Sequence, residues 1–89
     1  YERSFKDGIF YIVTGGGGAD LHGFPHVDLN PYSQVRIQEH HHVTLDVDCR
    51  AGTVEFNAWD TAGERIDGPV VVADGPPPKE HLYLPLVVR

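Results

Sequence analysis

The sequence predicts a mainly β fragment that combines a hairpin, extended into a meander, with one buried strand. Ile9–Val13 is an unbroken apolar run, which is typical of a strand covered on both faces. Residues 43–47 and 54–58 alternate apolar and polar side chains on either side of a short turn, the pattern of half-buried strands. No window shows the apolar period of a helix, so we expect sheets without helices.

The first predicted strand lies between two turn signals, Asp7-Gly8 and Gly15. Its side chains point alternately to opposite faces, so we expect one face to pack on the hairpin and the other to need a further layer. Residues 16–34 follow as a predicted long surface loop with two prolines. After the loop, Val35 and Ile37 alternate with polar residues and predict a short strand.

The hairpin has apolar residues at every second position on both of its strands. Its turn spans residues 48–52, where Gly52 supplies the positive φ that a short connection of this kind needs. Asp46 and Asp48 are expected on the solvent-facing side. The apolar side chains should share one buried face: Val43, Leu45, Val47, Val54, Phe56 and Ala58.

The chain continues from the hairpin into a third predicted strand. Turn residues at 60–63 precede residues 64–67, and an apolar run at 70–73 completes the meander. Residues 74–80 contain three consecutive prolines and predict a linker, which is followed by an extended apolar tail at 81–89.

Charge and composition exclude several classes of partner. The chain has 13 acidic and 7 basic residues and a net charge of −6, which repels nucleic-acid phosphates and anionic lipid headgroups. It contains no apolar stretch near the roughly 18 to 20 residues that span a bilayer. We therefore expect no nucleic acid and no membrane among its partners. Cys49 is the only cysteine and cannot form an internal disulfide, and the absence of Met indicates a piece of a longer or processed polypeptide.

The four consecutive glycines at residues 15–18 do not match the known phosphate-binding loops. The fingerprint GxGxxG would need a glycine at Asp20 or at Leu21, depending on the register. The loop GxxxxGK[ST] fails as well, because neither Lys6 nor Lys79 follows a glycine or precedes Ser or Thr. We expect no nucleotide-binding loop at this position.

Histidines are the other candidate chemical groups. His40 and His42 would share one face of a strand and are candidate metal ligands, but a catalytic metal normally needs at least three protein ligands. A polar strand entry with one ring packed against the sheet is the favoured interpretation. His22 and His26 fall in the predicted exposed loop. No serine stands in a GxSxG context and the cysteine has no assigned base, so the sequence offers no complete catalytic set.

Two stretches of the chain resemble one enzyme family. Tyr1-Glu2-Arg3-Ser4, followed by DGIFYIVTGGGGA at 7–19, is similar to the C-terminal part of calcineurin-like metallophosphoesterases, most closely the purple acid phosphatase-like branch. In that branch a metal-binding GHxH segment is commonly followed, after one residue, by YER and then by a strand and a glycine run. HHVTLDVDCRAGTVEFNAWDTAGERID at 41–67 resembles the closing hairpin of the same family.

The resemblance implies that residues 1–73 are the C-terminal segment of a metallophosphoesterase domain whose whole fold is a four-layer α/β/β/α sandwich. The parent enzyme would bind two metal ions, Fe with Zn, Mn or Fe, and would hydrolyse a phosphate-ester substrate outside the cell or in the periplasm. The family's ligands lie in DxH, GDxxD, GNHE, a further His and GHxH segments. Because GDxxD, GNHE and GHxH do not occur here, this chain is expected to bind no metal and to be inactive alone. The resemblance places these residues beside the parent's site: Tyr1, Glu2, Arg3, Gly15, Gly16, Gly17 and Gly18.

Three functional hypotheses remain open at this stage. The first is the structural C-terminal portion of a phosphoesterase, whose partner is the remainder of that domain. The second is a non-enzymatic β interaction module that binds through its loop and an exposed sheet edge. The third is a small histidine metal binder.

Overall fold

Seven strands form the part of the chain that the structure, a computed structural model, describes: residues 1–24, 30–73 and 86–89. No helix occurs among these residues, so the prediction of a mainly β fragment is confirmed. The predicted linker, residues 81–85 of the tail, and His26 lie outside the described residues. The strands are β1 Glu2–Lys6, β2 Ile9–Val13, β3 Ser33–Arg36, β4 His41–Asp48, β5 Thr53–Asp60, β6 Arg65–Ala73 and β7 Leu86–Val88.

The first sheet has the strand order β3-β1-β2-β7. Strands β1 and β2 form an antiparallel hairpin around Asp7 and Gly8, whose φ values of 54° and 77° both lie in the left-handed region. Two such residues in succession are the signature of a tight two-residue hairpin turn, for which Asp-Gly is a preferred sequence. Strand β1 is not predicted from the sequence, because Asp7-Gly8 is interpreted there only as the boundary of β2. Strand β7 runs parallel to β2.

The second sheet is the predicted meander β4-β5-β6. Its register is the predicted one, since Leu45 faces Phe56 and Val47 faces Val54 across the β4–β5 pair. Gly52 closes the turn with a φ of 67°. The Asp48 carboxylate accepts hydrogen bonds from the backbone N–H groups of Arg50 and Ala51, both at 3.0 Å, and so caps the turn.

The core lies between the two sheets. Ile12 of β2 and Phe56 of β5 are fully buried, and the rings of Phe10 and Phe56 meet edge to face at 6.3 Å between centroids. The opposite side of β2, which the sequence predicts to need a further layer, is incompletely covered, because Val13 is 49% exposed. Ile9 and Tyr11 on that side are partly buried, whereas full burial is reached by Ile12 on the face that packs on the meander.

The shared apolar face of the hairpin is buried on β5 but not along all of β4. Val54, Phe56 and Ala58 are buried as predicted, whereas Leu45 is 46% and Val47 57% exposed. The prediction is wrong for these two residues because they lie outside the cluster that packs between the sheets, and β4 is an edge strand with no described strand beside it. Alternation fixes the face of a side chain, but it does not fix how far the opposing layer extends.

Candidate functional site

A cleft of about 300 Å³ opens beside the start of β1 and the glycine run. The polar groups on its wall are Glu2, Asp20, His22 and Gln38. Its apolar lining comes from Tyr1, Val13, Leu21, Phe24 and Ile37, and the backbone of Gly15 and Gly16 completes it. A concave site with an apolar wall and a few converging polar groups is the usual form of a small-molecule pocket.

The structure brings together some of the residues that the resemblance placed beside a site. Tyr1, Glu2, Gly15 and Gly16 line the cleft, because the antiparallel pairing of Glu2 with Val13 brings the start of β1 and the end of β2 together at the open end of the hairpin. Gly17 and Gly18, together with Arg3, do not line it. The cleft is therefore formed by two separate stretches of the resemblance that meet in space.

His41 packs against the glycine run at Gly16, and its buried ring is the one that the favoured interpretation of the histidine cluster expects to pack against the sheet. Its ring is buried, with Nδ1 2.8 Å from the backbone carbonyl of Glu39 and Nε2 2.8 Å from the Thr14 hydroxyl. A carbonyl can only accept, so Nδ1 carries the proton of that hydrogen bond, and in the neutral ring Nε2 accepts from Thr14. The edge of the ring also packs against Tyr1, at 5.5 Å between centroids. The alternation that places Val43 on the inner face places His41 there as well, and this signal could have identified it.

Within the glycine run, Gly16 is the one position at which a side chain would clash with neighbouring atoms. A Cβ at this position would overlap the His41 ring and lie 3.0 Å from the Glu39 carbonyl oxygen. Cβ atoms built on Gly15 and Gly17 would meet nothing within 4 Å. The backbone carbonyl of Gly16 also accepts the His41 N–H at 3.0 Å, so the glycine run and the start of β4 are held together.

Tyr1 is held at the cleft by a charge pair between the sheets. The Tyr1 hydroxyl donates to the Asp67 carboxylate at 2.5 Å. Arg3 donates to the same carboxylate through Nε at 2.8 Å and Nη2 at 3.3 Å, which is a bidentate arrangement. Burial raises the pKa of the Tyr1 phenol above its ordinary value, and the Asp67 carboxylate adds to this effect. The group is therefore a neutral phenol that bridges β1 to β6.

Asp67 reaches this position because β6 is irregular. The pairing of β5 with β6 shifts twice, between Phe56 and Ala58 and between Ala58 and Trp59. Each shift leaves an additional residue on β6, which is how a β-bulge redirects side chains. Asp67 then lies opposite the buried Ala58, so its carboxylate faces the other sheet. No local sequence pattern predicts the contact of Asp67 with Tyr1 and Arg3.

The two predicted candidate metal ligands do not form a site with a third group. His40 precedes β4 and its Nδ1 lies 3.2 Å from the Gly16 carbonyl, whereas His42 is exposed on the outer face of the strand. Asp20 and His22 at the cleft also spell D-x-H, a spacing that the sequence analysis overlooked. Within the described ranges, no three His, Cys, Asp or Glu side chains come together as a metal-binding group. The described residues therefore do not fit a two-metal centre.

No known protein family, curated protein or solved structure matches this chain. In the described part of the chain no helix is long and apolar enough to cross a membrane.

Proposed function

We propose that this chain is the C-terminal structural portion of a calcineurin-like, purple acid phosphatase-like metallophosphoesterase that hydrolyses phosphate esters. The observation that carries the proposal is the meeting of Tyr1 and Glu2, from the YER segment, with Gly15 and Gly16, from the glycine run, at one cleft. In the family pattern these two segments follow the last metal-binding segment, and here both form one wall. Such a wall supports a site without supplying its reactive groups.

The position of Tyr1 supports the same function. Its hydroxyl is fixed by Asp67 and its backbone carbonyl accepts the N–H of Ile37 at 2.9 Å. Residues that precede Tyr1 in a longer chain would therefore enter directly at the cleft. A GHxH segment one residue upstream of Tyr1 would therefore lie close to this cleft.

The metal ions of the proposed parent are expected from sequence outside this chain. Two ions, Fe with Zn, Mn or Fe, would supply a metal-activated water and a clamp for the phosphate oxygens. The family's GDxxD, GNHE and GHxH ligand segments do not occur in this chain, so the chain alone is proposed to bind no metal and to be inactive. Its partner is the remainder of the phosphoesterase domain, and the parent is proposed to act outside the cell or in the periplasm.

A specific observation favours a second candidate function, a non-enzymatic β interaction module. Ile12 and Phe56 are fully buried between two sheets of this chain. The described residues thus form a core of their own, as an independent binding module would. The two functions differ in their dependence on upstream sequence, and this difference can be tested.

The test compares the 89-residue chain with the longer chain that its gene encodes upstream. Both are incubated with Fe, Zn or Mn salts, and the hydrolysis of an aryl phosphate is measured. We expect turnover only by the longer chain. In that chain, Gly16→Ala should lower turnover because its methyl group overlaps His41, whereas the matched control Gly17→Ala should not. Turnover by the 89-residue chain, or none by the longer one, would contradict the proposal.

A further inference from the structure

Strand β4 has a free edge with apolar side chains that its own sheet does not cover. It pairs with β5 on one side, and no other described strand pairs with it. Leu45 and Val47 lie on its inner face and are 46% and 57% exposed. An open edge with exposed apolar residues is a template for pairing with another strand.

One hydrogen bond shows which backbone groups lie on this free edge. The His41 N–H donates to the Gly16 carbonyl at 3.0 Å, so it points away from β5. Backbone groups alternate in direction along a strand. The N–H and C=O groups of Val43, Leu45 and Val47 therefore point outward, away from the β5 ladder.

We propose that this edge is an interface for a second copy of the chain, in which two β4 strands pair antiparallel about a two-fold axis at Leu45. The two meanders would then join into one continuous sheet. Leu45 would face Leu45 of the second copy, and Val43 would face its Val47. This interface goes beyond the proposed function and does not rest on it.

The charges on β4 select this register over its neighbours. With the axis at Leu45, Asp48 lies opposite His42 of the second copy, and Asp46 lies opposite its Thr44. An axis at Asp46 would instead place Asp46 opposite Asp46, and an axis at Val47 would place Asp46 opposite Asp48. Directly opposed like charges destabilise a sheet. An axis at Thr44 or at Val43 would place His41 in a hydrogen-bonded pair with the second copy, but the His41 N–H is already bound to the Gly16 carbonyl.

The polar side chains on the outer face of the paired strands can also form hydrogen bonds with each other. The Thr44 hydroxyl accepts a hydrogen bond from the Trp59 indole N–H at 2.9 Å. Its own proton is left to donate to the Asp46 carboxylate of the second copy. On the inner face the opposed Leu and Val side chains would cover one another, which removes apolar surface from water.

The first test is the oligomeric state of the 89-residue chain, measured by sedimentation velocity across a range of concentrations. We expect a reversible dimer. Leu45→Lys places two ammonium groups opposite each other at the axis and should weaken dimerisation at least tenfold. Val71→Lys is the matched control, because Val71 is 59% exposed on β6 and lies outside the interface, and it should leave the dimer intact.

The second test reads the register directly. In a hydrogen-bonded antiparallel pair the Cα atoms lie about 5.5 Å apart, which is within reach of a disulfide. Leu45→Cys, in a Cys49→Ser background that removes the exposed native thiol, should therefore cross-link under mild oxidation, whereas Val71→Cys in the same background should not. If circular dichroism shows that Leu45→Lys does not fold, the cross-linking result still tests whether β4 forms the interface.

Three results would overturn the proposal. They are a monomer at every concentration, a dimer that Leu45→Lys leaves unchanged, and equal cross-linking at positions 45 and 71. A dimer that is lost in Val13→Lys but kept in Leu45→Lys would assign the contact to the outer face of the first sheet instead.

Discussion

Replacing Asp67 with Asn removes the negative acceptor that Tyr1 and Arg3 share. The substitution keeps the side-chain volume, so its cost reports the charge pair and the hydrogen bonds rather than a cavity. One carbonyl oxygen of the new amide can still accept, but the Arg3 guanidinium loses its bidentate partner. The change therefore leaves a cation facing the core of the sandwich without its counter-charge.

The expected cost follows from the burial of the pair. The Arg3 and Asp67 side chains are 17% and 9% exposed, so the pair is mostly, but not fully, desolvated. Breaking a fully buried pair from one side costs about 3–5 kcal/mol. Residual solvent access and the remaining acceptor reduce this to about 2–4 kcal/mol. A domain of this length has a total stability of roughly 5–13 kcal/mol, so the loss is a large fraction of it.

The matched control is Glu2→Gln, which removes one carboxylate from another arginine pair. The Arg36 Nε and the Glu2 carboxylate are 2.9 Å apart, with side chains 28% and 20% exposed. This pair is more accessible than the Arg3–Asp67 pair without being fully exposed, and Arg36 also donates to the Asn30 carbonyl at 3.1 Å, so we expect a loss of about 1–2 kcal/mol. Urea unfolding followed by circular dichroism gives both costs, provided that the m-values stay unchanged. If Asp67→Asn costs no more than Glu2→Gln, the pair between the sheets does not hold Tyr1 and the reasoning fails.

Further predictions concern the glycine run, the buried phenol and the core. Gly16→Ala should destabilise the chain by about 1–3 kcal/mol through overpacking and Gly17→Ala by much less, which differential unfolding would show. The pKa of Tyr1 is raised in the folded state, so the unfolded phenol, with its ordinary pKa of about 10, ionises first. Stability should therefore fall as the pH rises above about 10. The Tyr1→Phe variant should lose less stability over the same pH range, and equal pH profiles of the two proteins would contradict this. Phe56→Ala should lower the free energy of unfolding by about 3–5 kcal/mol, whereas Val71→Ala should change it by no more than about 0.5 kcal/mol. Similar losses for the two variants would mean that the core is misplaced.

The regular part of the fold follows from local patterns in the sequence. Alternation across β4 and β5 gives their register, because one face must be apolar and a shift by one residue would reverse it. Strand β1 lacks that signal, since Arg3 stands on the inner face opposite Ile12. Only the Asp7-Gly8 turn indicates that a strand precedes β2.

The candidate site depends on contacts that local patterns do not encode. Arg3 and Asp67 are 64 positions apart in sequence and meet only because bulges redirect β6. His41 is different, because its parity with Val43 already placed it on the inner face. The requirement for glycine at position 16 follows once that ring is placed, whereas its neighbours in the run carry no such requirement.

The sequence encoded immediately upstream of Tyr1 tests the proposed phosphoesterase origin most directly. It can be read by sequencing the coding region or the transcript. The account predicts a GHxH segment with a single residue between its last histidine and Tyr1. A linker, a signal peptide or any other sequence in that position would contradict it and would favour the independent β module.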